Sequence, residues 1–93
     1  GQYDKALHNF ERAFVIFEKI LGEEHLNVAS VRHNLGAVYE AQGQYDKALL
    51  HFEKALVIRE KILGKEHAQV ASVLHNLGHL HEVQGQYDKS LLY

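Results

Sequence analysis

Apolar residues recur along the chain with the period of a helix. From Leu26 to Gln42, the residues Val28, Val31, Leu35 and Val38 stand 3, 4 and 3 positions apart, the stripe of an amphipathic helix that buries one face. The spacing predicts a first kind of helix, A, over 26–42. From about 44 to 63 a second kind, B, carries Leu49, Phe52, Leu56, Ile58, Ile62 and Leu63. These positions cover too much of the circumference for a surface helix, so B is expected to pack against neighbours on two sides. Glycines punctuate the pattern. Gly43 stands where A would close in a left-handed turn, Gly64 follows the last apolar residue of B, and Asp46 sits in the first turn of B, where negative charge favours a helix N-terminus.

The pattern is written twice. "GQYDKAL" opens the chain, recurs from Gly43 to Leu49 and returns at Gly85 as "GQYDKSL", and residues 1–42 share 29 identities with residues 43–84. A fixed period of this length marks a stack of helical repeats. The expected order is B1 (about 2–21), A2 (26–42), B2 (44–63), A3 (68–84) and a truncated B3 (86–93), a single unit that reads as a fragment of a longer array. The recurring phrase is then a helix-turn-helix corner: glycine ends A, Tyr45 packs over the turn, Asp46 starts B, and Ala48 leaves room where the helices cross.

"NLGAVYEAQGQYDKALLHFEKAL", Asn34 to Leu56, resembles the tetratricopeptide repeat, with Leu35, Gly36 and Tyr39 on A and Ala48, Phe52 and Ala55 on B at the family's spacing. In the second copy the A positions are Leu77, Gly78 and His81, the last expected at the tyrosine position of the core. The resemblance covers essentially the whole chain. It implies an all-α solenoid of antiparallel helix pairs stacked into a right-handed superhelix. The 42-residue period and "VIREKILGKEH" resemble the kinesin light chain type of the repeat. Arg32 and Leu74 replace the usual tryptophan of helix A, and Leu26 and Ala68 stand where relatives favour proline.

Composition narrows the function. The chain has 93 residues, 46% apolar and 24% charged, with a formal charge of -2. It has enough apolar residues for one small core, and its scattered cations do not make the basic surface that nucleic acid requires. No apolar run approaches the ~20 residues of a membrane span. With no cysteine, thiolate metal sites and disulfides are excluded, and an intracellular, cytoplasmic setting is expected.

The family resemblance implies a binding groove lined by helix A. Its stripe is Ser30, His33, Ala37 and Glu40 beside Asn34, and in the next repeat Ser72, His75, His79 and Glu82 beside Asn76. The resemblance makes the asparagines candidates for gripping a peptide backbone, since an amide donates and accepts at once. The groove reads as polar and mildly acidic, without the cations that clamp a terminal carboxylate. Equally, such residues are ordinary on a solvated helix, and Asn34 and Asn76 could bond across the A helices instead.

His75 and His79, four apart, could reach one ion, but no third ligand accompanies them, so neither metal nor cofactor is expected. Ser30, Ser72 and Ser90 lack a nucleophile elbow, and no glycine-rich loop cradles phosphate, so the chain is not expected to be an enzyme. Two functions remain: a scaffold that binds a peptide or partner protein on the A face, or a structural spacer or self-assembling rod, whose close repeats also suit a partly idealised sequence. A short B3 would leave Val70, Val73, Leu74, Leu77 and Leu80 without full cover, which predicts head-to-tail self-association or helix exchange.

Overall fold

The computed structural model describes residues 1–92, and side chains through residue 86. Four helices follow one another: α1 (Gln2–Leu21), α2 (Leu26–Ala41), α3 (Tyr45–Leu63) and α4 (Ala68–Leu92). No strand occurs among the described residues. The architecture is the all-α helical-repeat solenoid that the period implies.

Backbone chemistry sets the breaks. At the end of α2, Gly43 adopts φ +78°, its N–H donates to the Glu40 carbonyl at 2.9 Å, and the Gln44 N–H reaches back to the Tyr39 carbonyl at 2.8 Å. This pair of bonds is a Schellman closure, in which a left-handed glycine lets the chain satisfy its own last carbonyls. Gly64 ends α3 at φ +86° and ψ 163°, a conformation essentially reserved for glycine. The starts of α2 and α4 are capped by histidine: the Nδ1 of His25 accepts from the Asn27 N–H at 3.0 Å, and the Nδ1 of His67 from the Gln69 N–H at 3.1 Å.

The third copy of the corner differs. A break between A3 and B3 at Gly85 is expected from the repeat, yet α4 continues through it to Leu92, and Gly85 is not among the glycines with positive φ. A glycine permits a turn without enforcing one. Continuing the helix keeps the backbone hydrogen bonds running.

The core lies where α2, α3 and α4 meet. Val31, Leu35 and Tyr39 of α2, Ala48, Phe52 and Ala55 of α3, and Val73, Leu77 and Leu80 of α4 form its centre, and Leu7, Phe10, Ala13, Phe14 and Phe17 of α1 close one side. A β-carbon on Gly36 would fall 2.7 Å from the Phe52 ring, so the missing side chain is what lets α3 approach α2. Phe52 is fully buried; burying such a side chain contributes about 1.5–3 kcal/mol. Polar ties sit at the core's edge. The Tyr39 hydroxyl donates to Glu11 Oε1 of α1 at 3.0 Å, and Arg32, in place of tryptophan, lies 4.5 Å over the Phe14 ring.

Two expectations about α4 are corrected. Val70, Val73, Leu77 and Leu80 are buried rather than uncovered, and only Leu74 of the five is exposed, because α3 already covers the stripe that the other four form. His81 is exposed rather than in the tyrosine position of a core: Tyr39 is enclosed by α1 and α3, and no described residue encloses His81 in that way. No helix among the described residues is long and apolar enough to cross a membrane.

Candidate functional site

The stripe expected to line a groove lies on α2 and α4, which run side by side in the same direction. Two contacts set their register: His33 meets Asn76, and Glu40 meets His79. The two contacts divide the face into halves of different character.

Near the start of α2 the face is closed by a residue from α3. Arg59, only 6% exposed, donates from Nη1 to His33 Nδ1 at 2.8 Å and to the Gln69 carbonyl at 3.2 Å, and from Nη2 to Ser30 Oγ at 3.5 Å. No carboxylate pairs with it among the described residues, and its Nε is buried without a partner. Burial lowers its pKa. A guanidinium cannot accept, so His33 Nδ1 must be the acceptor and the ring proton resides on Nε2. Nε2 lies 2.6 Å from Asn76 Nδ2; two donors cannot pair, so with the proton on Nε2 the contact requires the amide turned about, its oxygen accepting. The ring also stands edge-on to Phe52, centroids 5.7 Å apart. Burial first, and then the Arg59 charge, lower the His33 pKa. His33, Ser30 and Asn76 thus fasten α2, α3 and α4 together.

Towards the end of α2 the face opens. A cleft of about 340 Å³ is lined by Ala37, Glu40 and Ala41 of α2, Tyr45 of α3, and His79 and Val83 of α4. His79 Nδ1–H donates to Glu40 Oε2 at 2.8 Å, tying α4 to α2 beside the cleft. Asn34, Ser72, His75 and Glu82 are exposed and make no side-chain hydrogen bond among the described residues. Of the expected stripe, Ala37, Glu40 and His79 are brought together around one cavity, and Ser30, His33 and Asn76 are drawn into the Arg59 network. Arg59 itself is not legible as a site residue, since it belongs to helix B; its one signal is that Phe17 stands at the equivalent position of the first copy.

Among the described residues no three histidine or carboxylate side chains gather as for a metal ion. A family model described as tetratricopeptide repeat matches residues 1–61 and again 51–93, and the chain belongs to that family. Its repeats are in general protein-protein interaction modules, and the family is one of non-catalytic scaffolds. No curated protein matches the chain.

Proposed function

We propose that the chain is an intracellular protein-protein interaction scaffold that takes a peptide segment of its partner on the face formed by α2 and α4. The observation that carries this reading is the cleft between the two helices, lined by Ala37, Glu40 and His79. Exposed Asn34, Ser72, His75 and Glu82 of the same two helices offer donors and acceptors that can pair with an extended backbone. Peptide display against the folded chain tests the reading, beside a variant with Asn34, Glu40, His75, His79 and Glu82 replaced by alanine. His33 and Asn76 are left intact, because their loss would act through the helix stack. Peptides enriched on the parent and lost on the variant are expected; equal enrichment on both would contradict the reading.

A second reading, self-association, is favoured by a contrast between the copies. Ala48, Phe52 and Ala55 of α3 are fully buried, whereas the equivalent Ala6, Phe10 and Ala13 of α1 are only partly covered. Likewise Gly36 meets Phe52, but open space faces Gly78. The α1 of one copy therefore offers α4 of another the surfaces that α3 offers α2, a head-to-tail contact that propagates. Sedimentation equilibrium over a roughly hundredfold concentration range should show mass growing with concentration, and Gly78→Leu should suppress it. A strict monomer throughout would remove this reading.

A further inference from the structure

Resting on the groove reading above, we propose that the α2–α4 cleft receives an aliphatic side chain flanked by lysine or arginine, so that the partner segment is basic. The walls of the cleft supply the first half of this specificity. Ala37, Ala41, Val83 and the Tyr45 ring are apolar, and the short alanine side chains leave a hollow that a branched aliphatic group can fill without displacing a protein atom. A polar group placed there would lose water for few compensating partners.

Charge supplies the second half. Glu40 is largely covered, its side chain 19% exposed, and His79 engages one carboxylate oxygen, Oε2. The other oxygen, Oε1, has no partner among the described residues. A half-desolvated carboxylate with one free oxygen favours a cationic donor over water. Glu82 is exposed on the same helix as His79.

No lysine or arginine lines the cleft. Arg32, the single lysine or arginine of α2, is held over Phe14 and against His51. Residues 68–86 of α4 contain neither lysine nor arginine. Arg59 is enclosed by His33, Ser30 and the Gln69 carbonyl, and Lys47 at the start of α3 lies 5.4 Å over the Tyr39 ring. An incoming lysine or arginine therefore meets Glu40 and Glu82.

The test uses three fluorescein-labelled synthetic peptides titrated with the chain: Ser-Lys-Lys-Leu-Lys-Lys-Ser, the same peptide with glutamate for every lysine, and the same peptide with serine for leucine. The lysine–leucine peptide should bind best, the serine version about tenfold more weakly for loss of the buried side chain, and the glutamate version not measurably. Ala37→Leu, which fills the hollow from an exposed position, should weaken the first peptide by about tenfold. Glu40→Gln, which retains an acceptor for His79, should weaken it by about threefold and flatten its salt dependence. Circular dichroism confirms that both variants remain helical. Preference for the glutamate peptide, or indifference to Ala37→Leu, overturns the proposal. Display selection separates the two levels: groove-dependent peptides without a basic and aliphatic pattern would sink this proposal and leave the groove reading standing, whereas no groove-dependent peptide of any kind would remove both.

Discussion

Equivalent residues of the two copies carry different constraints, and glycine shows this most directly. Gly36 and Gly78 occupy the same place in the repeat, but a β-carbon would strike the Phe52 ring at one and meet open space at the other. Gly36→Ala should therefore destabilise by about 1–3 kcal/mol through overpacking. Gly78→Ala should stabilise by about 0.5–1 kcal/mol, since alanine loses less backbone freedom inside a helix. Urea unfolding of the two variants checks both signs, and equal shifts would contradict the packing described. The histidines make a second residue-scale prediction. His33 and His51 are both held below the ordinary 6.5, first by burial, then by Arg59 beside His33 and by Arg32 and Lys54 beside His51, where Glu11 opposes them. Unfolded, each ring binds a proton near 6.5; folded, only at lower pH. Between those points the unfolded chain holds more protons, so stability is complete above about pH 6.5 and is lost as pH falls towards the folded values. The urea midpoint at about pH 5.5 should lie below that at about pH 7.5, and His33→Gln should reduce the difference. A midpoint that rises on acidification would contradict the assignment of His33 Nδ1 as an acceptor.

Helices read well from sequence where pattern and terminus agree, and poorly where an end depends on a neighbour. The family positions Leu35, Gly36, Tyr39, Ala48, Phe52 and Ala55 are all buried, because a small-large alternation at helical spacing is a packing requirement that sequence states openly. The corner at Gly43 is equally legible, with glycine following the last apolar turn. Gly85 carries the same letters and makes no corner, since a glycine permits a left-handed turn without requiring one. The site divides in the same manner. Periodicity places Ala37, Glu40 and His79 on one face, but only three-dimensional packing brings Arg59 across from α3 to occupy His33 and Ser30. Helix ends can be tested directly. Gly64→Ala forces a side chain into a conformation that glycine alone adopts easily and should cost about 1–3 kcal/mol. His67→Asp should preserve the cap of α4 and add a favourable charge at its N-terminus, leaving stability equal or higher by up to about 1 kcal/mol. Thermal unfolding of the two variants distinguishes these outcomes.

The whole molecule is a stack in which α2 packs on α1 and α3 while α4 packs on α3 and touches α2. The α2–α4 seam is fastened at one end by Arg59, His33 and Asn76 and left open at the other around Ala37 and Glu40. That division gives the scaffold both a rigid frame and a recess. Hot spots of recognition favour recesses, where a side chain is withdrawn from water. The measurement that tests this most directly is amide chemical-shift mapping on the isotope-labelled chain during titration with the tightest peptide from display. The account predicts that the largest shifts cluster at Ala37, Glu40, Ala41, His79 and Val83, with the exposed apolar residues Leu50 and Val57 of α3 unmoved. Shifts centred on Leu50 and Val57, with the α2–α4 cleft silent, would place recognition on another surface and contradict the account.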